Sequence, residues 1–304
     1  MVNSLSLCRA YFMETAHESL VSRFGEISGQ LATGLCGPGS DCFGYDDEIS
    51  RDHDWGPGFC LFVPGRLYDA YAEELSIWYE ALPKTFRGYG PRFITEDGRV
   101  GVIHMERFFS MYSGLPGKDA PARQWLVAST EGLAACTNGE VFMDGSGELA
   151  AWRTALAQYP EDVRRKKIAC SCFLAGQSGQ YNYGRSRKRG DLFASNYALS
   201  QFCFQALSLA FLLANRFSPY YKWKLRAAKE LPPPFYQIAL SVEDILRHSD
   251  DPEERIEALA QSIIFHLNAQ GLVSDNSSDF LADYKTLAEQ SIADAEIREM
   301  PGLY

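Results

Sequence analysis

Leu31-Ala32-Thr33-Gly34-Leu35-Cys36-Gly37-Pro38-Gly39-Ser40, then eleven residues, then Asp52-His53-Asp54-Trp55 and the apolar run Phe59 to Val63: this stretch decides the fold. Each apolar run is short and bounded by Gly or Pro, as a buried strand running into a tight turn would be. Between the runs lie Gly39-Ser40 and two acids separated by one residue. If Asp52 and Asp54 sit on a strand, the alternation of side chains sends both carboxylates from one face, about 7 Å apart at Cα, and turns His53 to the other. Trp55 then packs beneath them.

On the N-terminal side, Met13, Ala16, Leu20, Phe24 and Ile27 recur every three or four positions and predict an amphipathic helix. On the C-terminal side, Arg66 to Leu82 has helical periodicity, Val100 to Glu106 reads as a strand, and Glu140 to Met143 reads as another, closed by Asp144-Gly145. The Gly- and Pro-rich stretch from Gly114 to Pro121 therefore lies inside this part rather than after it. From Glu148 onward the pattern is almost wholly helical, around Leu149 to Gln158, Val163 to Leu174, Leu192 to Asn215 and three further segments. The expectation is an α+β chain: a mixed β-sheet with flanking helices over 1–148, then an α-helical bundle over 149–304.

Composition narrows the partners. A net charge of -10 over 304 residues argues against extended nucleic-acid binding, whose affinity comes mostly from cations that displace counterions. Glu14 and Glu18 follow Arg9 with no unbroken apolar stretch, so the start does not read as a secretory signal. The apolar segment from Ala198 to Leu213 is interrupted by Ser200, Gln201, Gln205 and Ser208, which suits a buried bundle helix and not a membrane span. Eight cysteines without a C-x-x-C pair read as buried thiols of a reducing compartment, and the expected location is cytoplasmic.

The chemistry converges on a metal-bound phosphate. Mg²⁺ or Mn²⁺ takes hard oxygen donors and needs one or two carboxylates beside water and substrate phosphate, which Asp52 and Asp54 supply. Gly39-Ser40 ends a strand where a helix could begin, so its N–H groups and the Ser40 hydroxyl are candidates to hold phosphates. Between Asp41 and Asp54 there are six acids against the single Arg51, a clustering that requires a cation or partner. Asp46, Asp47 and Glu48 read as a solvated loop or as fold contacts. Arg185, Lys188 and Arg189, in a basic run before the Leu192 helix, are candidates to neutralise a triphosphate and its leaving group, with an exposed loop as the other reading. Lys222 and Lys224 form a second basic candidate, with compensation of a helix terminus as the alternative. The cluster Arg164 to Lys167 reads as a solvated helix face.

Gly37-Pro38-Gly39-Ser40 and Arg51-Asp52-His53-Asp54-Trp55 resemble the signature of the DNA polymerase β-like nucleotidyltransferases: Gly-Ser, a spacer, then Asp-x-Asp at the edge of a mixed sheet. Gly44-Tyr45-Asp46-Asp47-Glu48, Tyr181-Asn182-Tyr183-Gly184-Arg185, Arg189-Gly190-Asp191 and Pro219-Tyr220-Tyr221-Lys222-Trp223 are similar to an uncharacterised bacterial family that carries this domain before a helical one. The resemblance runs over almost the whole chain. It implies nucleotidyl transfer from a nucleoside triphosphate, ATP first among them, with the nucleotide between sheet and bundle. It also implies a third carboxylate from a neighbouring strand, for which Glu106 is the candidate, with His104 two positions earlier. The alternative is that Glu106 caps the helix that follows. A small-molecule acceptor is favoured over RNA or protein, and a noncatalytic nucleotide-binding or toxin-neutralising protein is the competing class.

Overall fold

The two apolar runs become the centre of a four-stranded sheet. β1 (Ala32–Leu35) and β2 (Cys60–Val63) are buried along their whole length. They pair antiparallel, with Gly34 opposite Cys60. β3 (Gly101–His104) lies parallel to β2, and β4 (Glu140–Asp144) lies antiparallel to β1, giving the order β3-β2-β1-β4. The structure, a computed structural model, describes residues 3–51, 54–92, 99–249, 252–273 and 278–302. These directions bring the C-terminal end of β1 and the N-terminal ends of β2, β3 and β4 to one end of the sheet.

Phe12, Leu20, Leu31, Phe59, Leu61, Val63 and Leu75 form the centre of the core under the sheet, all fully buried. Full burial of a side chain of this size stabilises by about 1.5–3 kcal/mol. The N-terminal helix starts earlier than expected, at Ser4, where the Asn3 side chain caps it by accepting from the Leu5 N–H at 2.8 Å. It passes through a π turn at Phe12–Ala16, and the extra residue rotates the apolar face. Met13 is therefore 49% exposed while Phe12 is fully buried; the expected periodicity holds only from Ala16 onward.

The third strand is shorter than the sequence suggested. It stops at His104, whose Nδ1 accepts from the Arg107 N–H and caps the helix Met105–Ser113, so Glu106 is a residue of that helix and not of the strand.

By contact density the chain divides into two compact units, one of Met1–Ala120 with Ala128–Ala157 and one of Pro121–Val127 with Gln158–Tyr304. The first unit continues past the expected boundary near residue 148. Its last helix, Glu148–Ala155, stacks Trp152 flat on Phe109 at 4.8 Å and sends Arg153 to the Thr137 and Asn138 carbonyls.

In the second unit the helix Glu161–Ala175 runs on through a π-helical stretch, Gly176–Tyr183, into Gly184–Lys188. Gly179 in that stretch faces Phe202 of the helix Leu192–Leu213 so closely that a Cβ would overlap the ring. The Arg164–Lys167 cluster is not a solvated face. Lys166 is buried and ion-paired with Glu289 at 2.7 Å, and Arg164 and Arg165 both grip Glu161 at 2.9 Å. Leu192–Leu213 is long and apolar enough to cross a membrane by length and composition, and 67% of its most apolar window is buried within the protein. The eight cysteines are free and buried. Burial raises the thiol pKa of Cys60 and Cys136 to about 12.

Candidate functional site

At the sheet end where β1 finishes, the chain makes a loop whose base is fixed by a side-chain amide. The Gly37 N–H donates to Asn138 Oδ1 at 3.1 Å and the Asn138 amide donates back to the Gly37 carbonyl at 2.7 Å. Beyond it, Gly39-Ser40 does not open a helix as expected. The Ser40 carbonyl accepts from Phe43 N at 3.2 Å and Tyr45 N at 2.8 Å, closing a run of tight turns. Among the described residues, the N–H groups of Gly39 and Ser40 meet no acceptor. Such a turn presents backbone donors to an anion, as a helix N-terminus does.

Gly39 sits against the charged ends of two side chains, which would have to shift to admit a larger residue. A Cβ there would overlap both the Arg99 guanidinium and the Asp41 carboxylate. Those two groups belong to a buried charge network that the sequence did not reveal. Asp41 pairs with Arg92 at 2.6 Å, and both side chains are almost fully buried. Arg92 Nη1 also donates to the Asp54 carbonyl at 2.7 Å, and its Nη2 donates to the Gly56 carbonyl at 3.1 Å. Burial works against the Arg92 charge, but the Asp41 carboxylate outweighs it, so the guanidinium pKa is raised. One arginine thus ties the turn after β1 to the segment before β2.

Asp54 closes this network. Its backbone is left-handed, with φ 51°, a conformation that costs an L-residue about 1–2 kcal/mol, and its carbonyl is held by Arg92. Its carboxylate is buried, with Oδ2 3.8 Å from Arg99 Nη1. Asp54 precedes β2 rather than lying on it, so strand alternation does not set its direction. Asp52 and His53 lie outside the described residues. Trp55 donates to Asp46 at 2.9 Å and stacks under the Arg51 guanidinium at 4.4 Å. Asp46 also receives the Ser4 N–H at 3.0 Å, and Asp47 exchanges hydrogen bonds with Ser50, so both are fold contacts.

Glu106 is at the other end of the sheet. It follows β3, whereas Asp54 precedes β2, and those strands are parallel. Its Oε2 accepts the Gly65 N–H at 2.9 Å at the start of the helix Gly65–Glu80 and lies 3.2 Å from His104 Nδ1. The geometry makes it a helix-capping carboxylate and removes it as a partner of Asp54 in metal ligation.

The basic candidates belong to the second unit. Arg185 stacks over Tyr181 at 4.7 Å, and with Lys188 it lines a hollow of about 320 Å³ that also holds Glu253, Glu254 and Glu257. Three carboxylates beside two cations offset the charge a triphosphate would need. Arg189 is exposed, and Lys222 lies over the Trp223 ring at 5.4 Å. Lys224 is buried, donating to Ser208 Oγ at 2.8 Å.

Magnesium asks little of the protein: one or two carboxylates, the remaining shell being water and substrate oxygen. Asp54 beside a turn with open N–H groups meets that requirement. No group of three or more His, Cys, Asp or Glu that could hold a metal occurs among the described residues. Sequence reasoning missed Asp41, Arg92 and Arg99 as members of the site. The one available signal was the excess of acids between Asp41 and Asp54, which demanded cations from elsewhere in the chain.

No curated protein and no solved structure matches this chain. A family model described as a domain of unknown function (DUF4037) matches residues 125–224, a stretch that contains Arg185, Lys188, Arg189 and Lys222 but not the sheet end that carries Gly39 and Asp54.

Proposed function

We propose that the chain is a metal-dependent nucleotidyltransferase that moves a nucleoside monophosphate from a nucleoside triphosphate, ATP being the first to test, to an acceptor hydroxyl or phosphate. One observation carries the reading. At a single end of the sheet, a turn whose Gly39 and Ser40 N–H groups meet no acceptor among the described residues shares the Arg99 guanidinium with the buried carboxylate of Asp54.

In this mechanism the Gly39 and Ser40 N–H groups and the Ser40 hydroxyl hold the outer phosphates. Asp54, with Asp52 two residues earlier, would hold Mg²⁺ or Mn²⁺. The metal, when bound, neutralises charge on the phosphates in the transition state. An acceptor oxygen attacks the α-phosphorus, the bond from that phosphorus to the bridging oxygen breaks, pyrophosphate leaves, and the acceptor proton passes to solvent or a base. Arg92 keeps Asp54 in its left-handed conformation, so the carboxylate is positioned before substrate arrives. A small-molecule acceptor in the cytoplasm fits a chain of net charge -10 better than an RNA does.

Arg99 favours one other reading. Lying between Asp41 and Asp54, it balances with Arg92 the charge of both acids without a metal, which suits a nucleotide-binding protein that performs no transfer.

The test is incubation of purified protein with Mg²⁺ and triphosphates labelled at the α-phosphate, with and without cell extract split into small-molecule and macromolecular fractions. The expected result is label on a small molecule, lost in the Asp52→Asn/Asp54→Asn double variant. Transfer that persists in that variant removes the metal assignment. Tight binding with no labelling in any fraction favours the noncatalytic reading.

A further inference from the structure

Arg92 and Arg99 both face Asp41, yet they are held differently. The Arg92 contact is 2.6 Å, within the range of a charge-assisted hydrogen bond. Arg99 stands 3.5 Å from Asp41 and 3.8 Å from Asp54, separations set by charge attraction and not by short hydrogen bonds. Its side chain is 9% exposed. It also lies directly over Gly39, in the space a side chain would fill. A phosphate approaching the Gly39 and Ser40 N–H groups therefore meets the Arg99 fork, whose planar donors match phosphate oxygens in pairs.

We propose that Arg99 is an exchangeable counter-cation: with Asp41 already paired to Arg92, it supplies the charge that balances Asp54 when the site is free and turns to the triphosphate when a divalent metal takes its place at Asp54. The inference rests on the reading of Asp54 as a metal ligand. A dication and a guanidinium within about 4 Å of the same carboxylate repel each other, so metal and Arg99 compete for Asp54. The triphosphate resolves that competition by giving Arg99 a new anionic partner. Metal and nucleotide then bind with positive coupling, and the coupling is reciprocal. Arg92, locked to Asp41 and to two backbone carbonyls, does not exchange.

The test uses the full chain, with Mn²⁺ alone followed by electron paramagnetic resonance and ATP binding in EDTA followed by calorimetry. Arg99→Met should bind Mn²⁺ about tenfold more tightly than wild type and ATP about tenfold more weakly, the scale expected from removing one partly shielded charge. Arg99→Gln carries the same expectation should Arg99→Met lose its cooperative thermal transition. Arg99→Lys, which keeps the charge, should leave Mn²⁺ affinity close to wild type. Mn²⁺ affinity that is unchanged or weaker in folded Arg99→Met and Arg99→Gln overturns the exchange. If Asp54→Asn abolishes Mn²⁺ binding in the same experiment, only the exchange has failed. If Asp54→Asn binds Mn²⁺ like wild type, the metal reading of Asp54 has failed with it.

Discussion

The two ends of the sheet both carry ionised side chains, and they use them differently. At the end where β1 finishes, Asp41, Arg92, Arg99 and Asp54 are buried and joined to one another across two loops. At the other end, Glu106 and His104 are partly exposed, with 39% and 32% of their side chains accessible, and serve helix termini. Buried charges are costly to leave unpaired, so the first end is held by its ion pairs, the Arg92–Asp41 pair above all, whereas the second adjusts with solvent at little cost. A carboxylate in a capping position contributes stability. One in a buried network beside N–H groups that meet no acceptor is, in the reading proposed above, the place where a ligand binds.

The largest expected effect comes from breaking the tight pair. Arg92→Met removes the short partner of Asp41 and the clamp on the Asp54 carbonyl, and urea unfolding should report a loss of about 3–5 kcal/mol. A loss below about 1 kcal/mol would mean that Arg99 alone holds Asp41, and the distinction between the two arginines would collapse.

At the opposite end, Glu106→Gln keeps an acceptor for the Gly65 N–H but loses its charge. The expected cost is about 1 kcal/mol in the same unfolding measurement, with Mn²⁺ binding and transfer unchanged. A variant that unfolds like wild type but loses Mn²⁺ binding would return Glu106 to the metal site and erase the contrast between the ends.

Glu161 provides the solvent-exposed counterpart of Asp41, since it too is held by two arginines, but with 47% of its side chain accessible. Burial alone would raise its pKa; the hydrogen bonds from Arg164 and Arg165 outweigh that and leave it below the ordinary value of 4.5. A depressed carboxylate contributes stability above its unfolded pKa and loses it as pH falls through the folded value. Glu161→Gln should therefore lower stability at pH 7 by about 0.5–1 kcal/mol, with the difference from wild type fading below the ordinary carboxylate range in a melting series. A difference that grows on acidification would reverse the sign and contradict the pairing.

The parts of the fold that were legible in the sequence are those set by local pattern. β1 and β2 read correctly because a strand buried on both sides is a continuous apolar run bounded by turns, as at Leu31 to Cys36. Val100 to Glu106 reads two residues too far at its C-terminal end because the strand passes straight into a helix, and only the cap made by His104 marks the change. Met13 was placed on the wrong face because a π turn leaves no mark on periodicity. The boundary near residue 148 fell too early because the pattern of Glu148–Ala155 announces a helix but not what Trp152 stacks on. Within the site, Gly39, Ser40 and Asp54 stood out by spacing. Arg92 and Arg99 did not, since they act on Asp41 across more than fifty residues. Charge excess can announce that cations are needed without naming them.

The central claim is that the end of the sheet carrying Gly39 and Asp54 binds a metal triphosphate. A crystal structure with Mn²⁺ and a nonhydrolysable ATP analogue, read by anomalous scattering from the manganese, tests it most directly. The account predicts manganese at about 2.1 Å from an Asp54 oxygen, the outer phosphates on the Gly39 and Ser40 N–H groups, and Arg99 turned from Asp54 to the phosphates. Nucleotide and manganese bound elsewhere, with Arg99 still facing Asp41 and Asp54, would contradict it.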